Sequence, residues 1–206
     1  MEKFIELTAI AAPLLRINID TDAIIPSREL KRVSKKGLGT GLFAGWRYTE
    51  LGSRIENPDF ILNQPPYRDA GILLSGANFG CGSSREHAVW SLAEWGIRAI
   101  IAPSFGAIFY SNCVRNGILP VILDDERIAT LADIVSANPA ENRIAIDLEQ
   151  QTVVAVDGGT DTFDITPADR RMLMEGLDPI AVTMQRDDEI LAFQARDRLK
   201  RPWVYL

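Results

Sequence analysis

Ser83, Ser84 and Arg85 are the residues whose types and spacing are best suited to chemistry. They stand in the string Asn78-Phe-Gly-Cys-Gly-Ser-Ser-Arg-Glu-His-Ala88. Two hydroxyls and a guanidinium follow Gly80 and Gly82, which permit a tight, exposed bend with backbone N–H groups free to face a ligand. The apolar run Gly71-Ile-Leu-Leu-Ser-Gly76 ahead of the bend reads as a buried strand. Behind it, Val89, Leu92 and Ala93 repeat at helical spacing, with Gly96 as the stop. Ser83 and Glu86 fit a capping box, which predicts Ser83 at the N-cap and Arg85 in the first turn. Backbone donors, the positive end of a helix and a fixed cation then converge in one place, which makes an anion-binding site. Two other anion loops are disfavoured. A dinucleotide fingerprint needs a third glycine where this chain has Arg85, and no Gly-x-x-x-x-Gly-Lys-Ser/Thr occurs.

What is absent narrows the chemistry further. His87 is the only histidine, about one helical turn from Ser83 with no evident acidic partner, so it reads as packed rather than as the base of a triad. Cys81 and Cys113 are the only cysteines and lie far apart. With one histidine they cannot complete a four-ligand zinc or iron–sulfur site, so no metal site is expected and any cluster must come from another chain. The absence of a C-x-x-C pair suits a reducing cytoplasm, and no basic, apolar leader precedes the first strand. At 206 residues, 47% hydrophobic and 24% charged, the chain fits a single domain over 1–206. A net charge of −6 argues against nucleic acid or an acidic membrane as partner.

The elements that must position the bend alternate strand and helix, predicting an α/β fold with some parallel pairing. The first part of residues 4–26, with Phe4, Ile5 and Leu7 and then Ala11-Ala-Pro-Leu-Leu, reads as strand and leads to Asn18-Ile-Asp-Thr-Asp-Ala-Ile-Ile-Pro26, where Asp20 and Asp22 could form a metal pair or, more simply, an Asx turn. Residues 27–48 are irregular. Lys31, Arg32, Lys35 and Lys36 precede Gly37, Gly39, Gly41 and Gly45, a composition suited either to a solvated loop or to a lid that attracts a dicarboxylate. Strands are expected near Ile72–Leu74, Ala99–Ala102 and Leu119–Leu123, with helices at Ala107–Asn116 and Asp124–Ala137. Two strands at Ile144–Leu148 and Thr152–Val156 precede a C-terminal helical extension over 167–206. There Thr166-Pro opens one helix and Glu189–Asp197 forms another. The aromatic tail after Arg201 could anchor a partner.

The 78–88 string resembles the signature of the swivelling domain of the aconitase superfamily. The resemblance extends over nearly the whole chain, through Asn18-x-Asp-Thr-Asp-Ala-Ile-Ile-Pro26, Leu42-Phe, Trp46-Arg, Asn57-Pro-Asp-Phe60 and Ile101-Ala-Pro-Ser-Phe105. It is nearest to the isopropylmalate dehydratase small subunits, hydro-lyases of leucine biosynthesis. It implies a three-layer β/β/α domain and a dehydration–rehydration reaction. It also implies a large subunit whose [4Fe-4S] cluster acts as Lewis acid, and a dicarboxylate substrate. Carried onto this sequence, it makes Asp22 an orienting site residue and 27–48 the substrate loop, with Leu30 and Val33 the apolar side chains for a branched alkyl group. Arg28, Lys31 and Arg32 remain alternatives for a carboxylate. A serine is a weak base unless local positive potential stabilises its alkoxide. Ser83 is therefore assigned as base, Arg85 as carboxylate ligand and alkoxide support, and Ser84 as hydrogen-bond donor. Small subunits of homoaconitate, citraconate or dimethylmalate hydro-lyases are the neighbouring readings, and a non-catalytic anion-binding module is the reading from another class.

Overall fold

The computed structural model describes residues 1–30, 36–50 and 52–205. The short strands β1 (Glu6–Ala9) and β2 (Ala11–Leu14) follow one another almost directly yet enter different sheets. β1 pairs antiparallel with β6 (Ile144–Asp147), which continues through β7 (Thr152–Val154) to β8 (Thr160–Thr162). β2 opens a parallel sheet, β2-β3-β4-β5, with β3 at Ile72–Ser75, β4 at Ala99–Ala102 and β5 at Leu119–Ile122. The two prolines in this sheet, Pro13 and Pro120, both lie on edge strands, where a missing N–H costs no central ladder bond.

The central strands are buried on both faces, and alternate side chains serve two cores. Leu73 and Ile100 face one core with Ala88, Val89 and Leu92 of α3 (Glu86–Trp95) and with Phe109 and Cys113 of α4 (Ala107–Arg115). Ile72, Leu74, Ala99 and Ile101 face the other, against Ile128, Leu131 and Val135 of α5 (Asp125–Ala137) and the inward residues of the antiparallel sheet. The result is three layers, two sheets and a helical face, as the resemblance implies, with the parallel pairing that the strand–helix alternation predicts. Burial pushes the Cys113 thiol well up, so it is a packed side chain rather than a nucleophile.

Helix α6 (Pro167–Glu175) has the cap expected of Thr166, whose hydroxyl accepts from the Asp169 N–H, and Gly176 ends it in the left-handed region. A helix not foreseen, Pro179–Met184, precedes a last one at Asp187–Lys200, longer than expected. This final pair leaves Ile180, Leu191, Phe193 and Leu199 exposed. Tyr205 in the tail is tied down by its hydroxyl, which donates to Asp197, while Trp203 stays exposed. No helix among the described residues is long and apolar enough to cross a membrane.

The loops that leave β2, β3 and β4 at their carboxyl ends go on pairing beyond the sheet. Parallel bridges join Asp20 to Cys81 and Phe79 to Phe105. Gly80, at φ +72°, sits where a Cβ would lie 2.1 Å from the Phe109 ring. Gly80→Ala should therefore cost about 2 kcal/mol or more from overpacking and backbone strain together. Urea unfolding of the purified chain measures it, and a loss under ~0.5 kcal/mol, the size of a surface change, would contradict this packing.

Candidate active site

The site forms where the loop after β2 meets the loop after β3, outside the carboxyl ends of parallel strands, the usual place for a ligand in an α/β sheet. Three backbone bonds join the loops. Asn18 N–H donates to Ala77 O (2.9 Å), Gly80 N–H to Ile19 O (2.7 Å) and Thr21 N–H to Cys81 O (2.9 Å). The Asn78 side-chain amide adds a bond to Asn18 Oδ1 at 2.8 Å. Asp20 caps the short helix Thr21–Ile24 by accepting from the Ala23 N–H, so it forms a turn rather than half of a metal pair. This arrangement leaves Asp22 pointing elsewhere.

Asp22 meets Arg85. The Nη2 of Arg85 donates to Asp22 Oδ2 at 3.0 Å, and Nη1 is in ionic contact with Oδ1. Nη1 is buried behind this contact, so a further acceptor would be met by the guanidinium's other N–H groups. Asp22 also accepts from the Ser27 N–H (3.2 Å) and hydroxyl (3.1 Å). The hydrogen bond from Arg85 is the main cause that holds the Asp22 carboxyl down, to about 2 from its ordinary 3.8. The carboxylate is the more exposed partner, at 56% against 19% for Arg85. A pair so open to solvent adds little stability, and its consequence is orientation of the guanidinium.

Ser83 and Ser84 are both exposed, and among the described residues neither hydroxyl has a hydrogen-bond partner. The capping box does not form. Helix α3 begins at Glu86, with Arg85 in the extended conformation of an N-cap and no side-chain cap bond. The reason lies in competing partners. Glu86 accepts from the Asn116 side chain at 2.9 Å instead of reaching back, and Ser83 O is held by the Thr21 hydroxyl (3.1 Å) and the Arg85 N–H (2.8 Å). Arg85 therefore stands just before the helix, not in its first turn. His87 packs its ring against Trp90, centroids 4.8 Å apart, and no carboxylate pairs with it among the described residues. Among the described residues no triad is assembled around it.

Comparison with known proteins gives the family of the chain. The aconitase C-terminal domain family matches residues 1–126, and the family of C-terminal domains of the 3-isopropylmalate dehydratase small subunit matches 180–205. The chain is 58% identical to the 3-isopropylmalate dehydratase small subunit of Cupriavidus necator, over 100% of this chain and 99% of that one. It belongs to the 3-isopropylmalate dehydratase small-subunit family. A second member, from Dinoroseobacter shibae, is 50% identical over 99% of this chain and 100% of its own. The solved 3-isopropylmalate dehydratase structure from Methanocaldococcus jannaschii shares the fold at TM-score 0.65 and 25% identity, covering 93% of this chain and 99% of that one.

Of the residues the sequence singled out, this family member brings Ser83, Ser84, Arg85 and Asp22 to one place. Leu30 is joined to them through the backbone. Its N–H donates to Ser27 O, Ser27 binds Asp22, and its side chain packs partly against the core. Val33 lies outside the described residues, as do Lys31, Arg32 and Lys35. Arg28 sits 3.7 Å from Glu29, an acidic neighbour within its own turn. Sequence reasoning missed Ser27, which sits directly after the Asn18–Pro26 segment and reads as an ordinary turn residue. It also missed Thr21, whose place between two aspartates was the available signal.

The Asp22–Arg85 contact makes a pH prediction with a definite sign. A depressed carboxyl contributes its stabilisation fully above its ordinary 3.8 and loses it as pH falls through about 2. Carbon-13 NMR of the Asp22 carboxyl should give a midpoint of about 2 in the native chain, rising toward 3.8 in Arg85→Gln. An unchanged midpoint in the variant would remove Arg85 as the cause.

Proposed function

We propose that this chain is the small subunit of a 3-isopropylmalate dehydratase, converting 2-isopropylmalate to 3-isopropylmalate together with a large subunit. The observation that carries the reading is the Asp22-oriented guanidinium of Arg85 beside the two unpartnered hydroxyls of Ser83 and Ser84. In this reading residues 27–48 form the substrate loop. Leu30 and Val33 meet the isopropyl group, and the work takes place in the cytoplasm.

A [4Fe-4S] cluster of the large subunit supplies the Lewis acid for the departing hydroxyl. Among the described residues of this chain, no three His, Cys, Asp or Glu side chains come together as metal ligands, and Cys81 and Cys113 stand apart. The chain's own task is the proton. Ser83, as alkoxide, takes a proton from the methylene carbon beside a substrate carboxylate, and the hydroxyl of the neighbouring carbon leaves to give the alkene. A water then adds its hydroxide to the former methylene carbon, its remaining proton offsetting the departed hydroxide as water, and Ser83 returns its proton to the carbon that lost its hydroxyl. Arg85 binds a substrate carboxylate through the donors Asp22 does not occupy, and its charge favours the alkoxide. Ser84 donates a hydrogen bond to the same substrate.

Ser83→Ala, assembled with a fully cluster-loaded large subunit, should lower turnover at least ~100-fold, the low end for loss of an acid–base group. Near-normal turnover with the cluster intact would show that another group moves the proton.

A further inference from the structure

Thr21 is 2% exposed, the most deeply buried polar residue at the site, and it touches both carbonyls that flank Gly82. Its N–H donates to Cys81 O at 2.9 Å and its hydroxyl to Ser83 O at 3.1 Å. These bonds come from one residue of the β2 loop and grip the β3 loop on either side of its sharpest bend, where Gly82 has φ +90°. A hydrogen bond from an inner side chain to the carbonyl of an exposed serine has one direct effect: it fixes the peptide from which that serine's Oγ projects.

Peptide planarity extends the effect. In a trans peptide the C=O of one residue and the N–H of the next point in opposite directions. With the carbonyls of Cys81 and Ser83 turned onto Thr21, the N–H groups of Gly82 and Ser84 point away from it. Among the described residues neither N–H has an acceptor. The Ser83 carbonyl would otherwise be free to follow the helix, as the serine–glutamate spacing favours. Its capture by Thr21 is part of what holds the bend at Ser83 and delays helix α3 to Glu86.

We propose that Thr21 is a positioning residue for the reaction, its hydroxyl holding the Ser83 peptide so that the Ser83 Oγ and the N–H groups of Gly82 and Ser84 keep a fixed orientation toward the substrate. This rests on the dehydratase reading above for its kinetic consequence, but not for its structural one. Placing a reacting oxygen is worth large factors in rate, so loss of the hydroxyl acts on kcat rather than on substrate affinity, which Arg85 supplies.

Thr21→Val keeps the shape and removes the hydroxyl, whereas Thr21→Ser keeps the hydroxyl. In the complex with the large subunit, Thr21→Val should lower kcat about 10-fold or more with KM within about two-fold, and Thr21→Ser should recover most of the loss. In the isolated chain, nitrogen-15 relaxation should show the order parameters of Ser83 and Ser84 falling from about 0.85 to 0.6 or below in Thr21→Val and returning in Thr21→Ser. Wild-type order parameters in Thr21→Val would overturn the proposal whatever the assay shows. So would a Thr21→Ser chain as mobile and as slow as the valine variant, since packing rather than the hydroxyl would then be responsible. A native complex that turns over nothing would overturn the dehydratase reading alone, leaving the relaxation result to decide for or against Thr21.

Discussion

The site depends on parallel pairing that does not stop where the sheet stops. Beyond the carboxyl ends of β2 and β3, the Asn18–Thr21 and Ala77–Cys81 segments remain joined by three backbone bonds of 2.7–2.9 Å. On the other flank Phe79 N–H donates to Ser104 O and Gly106 N–H to Phe79 O, tying in the loop after β4. A free glycine-rich loop of this length would lose its shape to conformational entropy. Held on both sides, it becomes an extension of the sheet. Gly80 is then required by space as well as by φ, and Gly106 by space alone. A Cβ at Gly106 would meet Gly80 O at 2.6 Å, so the two loops approach as closely as backbone allows.

Upon this frame the electrostatics are simple. One cation, Arg85, stands at the mouth of the bend, and one carboxylate, Asp22, aims it while leaving part of its donor set unspent. Ser27 in turn fixes Asp22 and begins the turn that leads to Leu30, so the charge pair and the start of the 27–48 segment share a single anchor. The far end of that segment is anchored as well. Glu94, near the end of helix α3, accepts from the Gly39 N–H at 2.7 Å and from the Gly37 N–H at 2.5 Å. Buried Arg47 binds the carbonyls of Gly39, Thr40 and Leu42. Helix α3 thus reaches the segment directly through Glu94 near its last turn, and Arg85 just before its first turn reaches it through Asp22, which binds Ser27.

Much of this was legible from the residues alone, and what was not has physical causes. The strands at Ile72, Ala99 and Leu119 and the helices at Ala107 and Asp124 announce themselves through local periodicity and stop signals, and the structure places them within a residue or two. The opening part of residues 4–26 reads simply as strand because nothing local marks the change of sheet. The division between Glu6–Ala9 and Ala11–Leu14 is set by their distant partners, Ile144–Asp147 and Ile72–Ser75. The capping box at Ser83 was a sound local inference defeated by tertiary contacts, as Thr21 and Asn116 took the groups it needed. The Asp22–Arg85 pair joins residues 63 apart in sequence, and spacing alone could not supply it.

In the proposed function this chain supplies the base for a dehydration completed only with a cluster-bearing partner. The most direct test is ultraviolet detection of alkene after anaerobic mixing of the chain with a cluster-loaded large subunit and 2-isopropylmalate. The account predicts alkene, followed by 3-isopropylmalate, only when both chains are present. An assembled complex with its cluster intact and no alkene would contradict it.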